Sequence, residues 1–208
     1  MRPLPGLVAL AWFAAGPLRA QDASVQGTLL VPGGRAAGIV VALLPEEHVG
    51  APPINTSIDQ RGLRFVPPVV AVTPGSVVTF PNSDPVLHNI FIVRPDRRRV
   101  DLGTYPTEEF RELMLSQPGI HLVMCHLHPE MAASIVVLDA PYLTVSDSSG
   151  SFHFDAVPPG TYRVVVRHRR YDAPPQVMQL APSEARKLRL VLTPSAGRKR
   201  PAHEVPPR

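Results

Sequence analysis

The residues with the clearest chemistry lie in one short run, Cys125-His126-Leu127-His128-Pro129-Glu130-Met131. It contains the only cysteine in 208 residues and follows an apolar stretch, Ile120 to Met124. A thiolate, an imidazole and a thioether are soft or borderline ligands, suited to copper rather than to calcium or magnesium. A further imidazole, His88, stands upstream in Phe80-Pro-Asn-Ser-Asp-Pro-Val-Leu-His-Asn-Ile-Phe91. One cysteine, two histidines and a weak methionine form the ligand set of blue-copper electron-transfer sites.

Such a set needs two elements to bring it together. His88 falls in one predicted strand, and the other donors fall in a turn that ends a different strand. A rigid β-scaffold that converges on one ion from two directions limits ligand movement between oxidation states. Pro129 stiffens the turn by fixing its own φ. Bound metal would keep Cys125 deprotonated. Asn89 is expected to tie the two ligand segments together by side-chain hydrogen bonds, and backbone N–H groups near Cys125 would tune the sulfur. His128 is preferred over His126, because Cys-x2-His leaves room for a turn, whereas adjacent side chains diverge in a strand. His121 is read as a non-ligand, and His48, His153, His168 and His203 lack ligand spacing.

The surrounding sequence reads as all-β. Candidate strands are Val25–Val31, Gly38–Leu44, Leu63–Val66, Val69–Val72, Ser76–Phe80, His88–Val93, Ile120–Cys125, Ser134–Leu138, Tyr142–Val145, Phe152–Phe154, Tyr162–Arg167 and Lys187–Leu192. Turn dipeptides such as Pro74-Gly75 and Pro118-Gly119 separate them. Thr107–Leu115 alternates but also has helical character, and both readings stay open. No internal repeat is evident.

The start of the chain reads as an export signal over residues 1–20. Arg2 is followed by apolar Leu7–Ala15, with a cleavage site before Gln21. The stretch is too short to span a bilayer as a helix, and no other segment qualifies. The expected location is periplasmic or otherwise exported, where a lone cysteine has no internal disulfide partner. Removal of Arg2 and Arg19 would lower the formal charge from +4 to +2, so no nucleic-acid footprint is expected. Arg94, Arg97, Arg98 and Arg99 cluster, as a solvated loop or as a docking patch for an acidic partner. Residues 195–208 are basic, proline-rich and expected to be disordered.

Two family resemblances follow from these motifs. Cys-x2-His-x2-Met, the upstream His88-Asn89, the Val-x-Pro-Gly-Ser-x-Val-x-Phe-x-Asn-x-Asp run before it, and Gly119 six residues before Cys125 resemble the cupredoxins. The ligand loop is as short as that of amicyanin. The resemblance implies a cupredoxin Greek-key β-sandwich over 55–140, with His88, Cys125, His128 and Met131 holding one copper per chain. His121, Val123, His126 and Glu130 depart from the usual pattern. Asp147-x-x-Gly-x-Phe-x-Phe-x-x-Val-Pro-Pro-Gly-x-Tyr-x-Val resembles the carboxypeptidase regulatory-like domain, a small transthyretin-like β-sandwich. It implies that residues 21–50 and 141–194 form one such sandwich, with the cupredoxin inserted into it. That arrangement is similar to exported methylamine utilisation proteins.

The implied function is that of an exported one-electron carrier, not an enzyme, working between a redox-protein donor and acceptor. Leu127 and Pro129 would form a small docking face, and a monomer is one expectation. Two alternatives remain open. One is a copper-binding or delivery protein. The other is a carbohydrate-binding or adhesion module with a vestigial copper site.

Overall fold

The protein is described by a computed structural model over residues 21–33, 36–47 and 50–195. The expected signal at 1–20, most of the expected tail, and His48 and His203 lie outside these residues. The described chain is built from strands joined by turns. β1 (Ala23–Leu30) and β2 (Val40–Pro45) come first. A middle group follows: β3 (Thr56–Ser57), β4 (Asp59–Gln60), β5 (Phe65–Val66), β6 (Val69–Val72), β7 (Ser76–Pro81), β8 (His88–Val93), β9 (Arg99–Tyr105), β10 (Phe110–Leu115), β11 (Gly119–Met124) and β12 (Ala132–Val137). The last group is β13 (Tyr142–Val145), β14 (Ser151–Val157), β15 (Gly160–Arg167), β16 (Tyr171–Asp172), β17 (Gln176–Leu180), β18 (Ala185–Val191) and β19 (Thr193–Pro194).

The middle group packs a sheet ordered β6-β12-β11-β8-β9 against a smaller sheet, β10-β7-β3. Residues alternate in and out along β7, where Ser76, Val78 and Phe80 are buried, as a half-solvated strand requires. Phe80, Ile90, Ile92, Val123 and Ile135 fill the space between the two sheets. Tyr105 closes this core with its hydroxyl satisfied: it donates to the Phe80 carbonyl at 2.8 Å and accepts from Gln60 Nε2 at 2.6 Å.

The first and last groups build a separate core around Val25, Ile39, Val41, Phe152, Tyr162 and Leu190. There β1 lies between β14 and β18, and β2 lies between β13 and β15. Strands from both ends of the sequence therefore pair, and the middle sandwich interrupts them between β2 and β13. Gly27 is needed where β1 crosses this core, because a Cβ there would lie 2.4 Å from Phe152 Cζ and 2.8 Å from the Leu188 carbonyl oxygen.

Short strands such as β3, β4 and β17 have no counterpart among the candidate strands, and two further segments, beside β7 and β8, also differ from their sequence reading. Phe110–Leu115, within the stretch left between helix and strand, is a strand paired antiparallel with β7. Arg99–Tyr105, read only as the end of a basic cluster, forms edge strand β9 against β8. Its charged residues are compatible with an edge, where one side of the ladder faces water. The hairpin between them is closed by the Arg94 N–H donating to the Arg98 carbonyl at 2.8 Å. This places the arginine cluster at the far end of β8 from His88.

Candidate metal centre

The register of two antiparallel neighbours builds the site. β8 and β11 pair Phe91 with Met124, Ile92 with Val123 and Val93 with Leu122. His88 opens β8 and Cys125 follows the last residue of β11, so both reach the same end of the sheet. Beyond Cys125 the chain turns back into β12, and the Met131 N–H donates to the His128 carbonyl at 2.9 Å. That bond closes the turn which carries His128.

Three donor atoms meet there. Cys125 Sγ lies 3.9 Å from His88 Nδ1 and 3.8 Å from His128 Nδ1, and the two nitrogens are 3.0 Å apart. These residues form a group able to hold one ion. Bonds of about 2.0 Å to nitrogen and about 2.3 Å to sulfur place neighbouring donors roughly 3 to 4 Å apart around a single ion. The triangle has that size. His88 and Cys125 are buried and His128 is half-buried, so the donor group is shielded on one side and open on the other. Met131 is 1% exposed and shares the core cluster of Cys125. A thiolate with two imidazoles is a borderline-to-soft donor set, and divalent affinity peaks at copper along the first row.

The donor set suits copper, with one such group per chain among the described residues.

The other candidate residues lie elsewhere. His126 stacks on Phe91, with ring centroids 4.0 Å apart, and its Nε2 is 3.8 Å from Asp101 Oδ2. His121 is fully buried, with Nε2 at 2.8 Å from the Gln117 carbonyl oxygen. Neither belongs to the three-donor group. Asn89 does not bridge to the cysteine turn as expected. Its Nδ2 donates to Asp101 Oδ1 at 2.9 Å and so secures β9, because β9 supplies a carboxylate next to β8. The Gly103 N–H and the Asn89 amide in turn hold the Asp101 carboxyl below the usual range.

Asp84 was not singled out from the sequence, yet it contacts the centre directly. Its Oδ2 lies 2.9 Å from His88 Nε2. The same carboxylate accepts from the Gly62 and Leu63 N–H groups at the tip of the β4–β5 hairpin. Burial pushes the Asp84 carboxyl up, but the Leu63 N–H, His88 and the Gly62 N–H outweigh it and hold it below the usual range. The signal available in the sequence was turn chemistry, since Asn82-Ser-Asp84 is an Asx turn in which Asn82 Oδ1 accepts from the Asp84 N–H at 3.0 Å.

No family model matches the chain, and no curated protein matches it. Solved structures do. A reduced amicyanin variant is 22% identical with a TM-score of 0.37, covering 47% of this chain and 92% of its own. A purple cupredoxin from Nitrosopumilus maritimus is 19% identical with a TM-score of 0.36, covering 40% of this chain and 99% of its own. A copper-containing nitrite reductase from Thermus scotoductus is 19% identical with a TM-score of 0.39, covering 53% of this chain and 28% of its own. Among the described residues no helix is long and apolar enough to cross a membrane.

Proposed function

We propose that this protein is an exported blue-copper carrier of single electrons, with His88, Cys125, His128 and Met131 as its ligands. The observation that carries the reading is the convergence of Cys125 Sγ with the two Nδ1 atoms within 3.9 Å of one another. Copper supplies a one-electron couple when bound. The β8 and β11 strands hold His88 and Cys125 from the sheet, and the closed turn holds His128, so a change of charge at the centre needs little ligand movement. Met131, buried in the same core cluster as Cys125, would supply a weak thioether as a further donor, and a donor set filled by the protein favours a carrier over an enzyme.

His128 is the ligand nearest solvent and serves as the route for electrons. Leu87 and Leu127, each adjacent to a histidine ligand, are 53% and 50% exposed. With Val86 and Leu63 they supply an apolar face on which a redox donor or acceptor docks and excludes water. In this reading residues 55–140 are the cupredoxin. Residues 21–50 and 141–194 are the regulatory-like sandwich that carries it, behind an export signal at 1–20.

Copper titration of the purified chain tests this directly. An intense thiolate-to-Cu(II) absorption band that is absent in Cys125→Ser, with fast electron self-exchange, is the expected result. A colourless Cu(II) form would remove the proposal.

A further inference from the structure

The two nitrogens of His88 have different partners. Nδ1 faces Cys125 Sγ and His128 Nδ1, and Nε2 faces Asp84 Oδ2 at 2.9 Å. We propose that Asp84 is a positioning residue for the copper centre, fixing the tautomer and orientation of His88 and making it a stronger donor. The inference rests on the copper reading and adds to it a determinant of the reduction potential.

The chemistry of the pair is directional. A neutral imidazole carries one N–H, and an ionised carboxylate can only accept. The proton is therefore held on Nε2, and the Nδ1 lone pair is left for the metal. His88 is fully buried and Asp84 is 5% exposed, so no bulk water competes for either end of the contact. An anionic acceptor on the far nitrogen feeds charge into the ring, as a carboxylate behind a metal-bound histidine does. That charge favours Cu(II) over Cu(I).

The carboxylate is itself held from three sides. Gly62 N–H donates to Oδ1 at 2.5 Å, and Leu63 N–H donates to Oδ2 at 2.9 Å. Both residues have positive φ, 61° and 55°, which turns the two consecutive N–H groups toward one acceptor. Asn82 braces the loop from below, accepting from the Asp84 N–H and donating from Nδ2 to the Val86 carbonyl at 2.9 Å. A buried carboxylate with three donors is a satisfied group, and its position relative to His88 is set by the β4–β5 hairpin rather than by the ligand loop alone.

The test uses the full chain with Asp84→Asn. The variant keeps the shape but removes the charge and half of the accepting capacity. In the copper-loaded protein the preference for Cu(II) over Cu(I) should fall about tenfold, a rise in potential of about 59 mV for one electron. A blue variant at the wild-type potential would overturn the role of Asp84 and leave the carrier reading intact. A wild type with no thiolate band would overturn the carrier reading instead. Nitrogen-15 NMR of wild type loaded with zinc decides the orientation without copper and without a variant. A slowly exchanging proton on His88 Nε2 supports the proposal, and a proton on Nδ1, or fast exchange at Nε2, overturns it.

Discussion

The Nδ1 atoms of His88 and His128 lie 3.0 Å apart, with their rings inclined at 63°. Two imidazoles so placed present both Nδ1 lone pairs to the same point when the far nitrogens carry the protons, which is the arrangement that suits a shared cation. The expected consequences for this centre and its scaffold can each be measured.

Met131→Leu should keep the core volume and cost less than about 1.5 kcal/mol of stability. The thiolate band should persist, because Cys125, His88 and His128 remain. On the proposed ligand set the potential should rise, since removing a fourth donor destabilises Cu(II) more than Cu(I). Voltammetry and thermal melts of the copper-loaded variant separate the two effects, and an unchanged potential would argue against an axial Met131.

Tyr105→Phe removes a buried hydroxyl bonded to the Phe80 carbonyl and to Gln60 Nε2. Gln60 Nε2 keeps a second acceptor in the Pro81 carbonyl at 3.2 Å, so the loss should be about 1 to 2 kcal/mol. Urea denaturation measures it. The copper spectrum should be unchanged.

Stability should fall on acidification partly through His121. Burial lowers its pKa from the ordinary 6.5, against a raising effect of the Gln117 carbonyl. The unfolded chain then binds a proton that the folded chain refuses, so stability is complete above pH 6.5 and declines as pH falls below it. His121→Leu should flatten this decline while lowering stability at neutral pH through the lost hydrogen bond. Thermal melts across the acid range should show the crossing of slopes, and parallel curves would exclude His121 as the cause.

Gly27→Ala should destabilise the sandwich that holds β1, because the new methyl meets Phe152 and the Leu188 backbone. Overpacking of this kind costs about 1 to 3 kcal/mol. The thiolate band should be identical to wild type below the melting temperature, because Gly27 lies against the other core.

Much of the architecture was legible where alternation was strong. The candidate strands Ser76–Phe80, His88–Val93 and Ile120–Cys125 correspond to β7, β8 and β11, observed as Ser76–Pro81, His88–Val93 and Gly119–Met124. β9 was not, because Arg99, Asp101 and Gly103 are poor strand formers whose pairing comes from β8 rather than from local preference. Residue type singled out Cys125, His88 and His128, whose donors the fold brings together. Residue type could not separate Asn89 from Asp84 as the group behind a ligand, because that depends on where the β4–β5 hairpin and β9 come to rest. Local sequence says nothing of contacts whose partners are 20 residues away or on another strand.

β1 finds its companions late. Its neighbours are β14, ending at Val157, and β18, ending at Val191, whereas the interior around Cys125 is complete at Val137. During synthesis the metal-holding half can close while the opening strand still waits, with Val25 and Leu29 uncovered, for the last fifth of the polypeptide to emerge. Truncation near the carboxyl end should therefore expose a sticky leading edge without disturbing the metal-binding half.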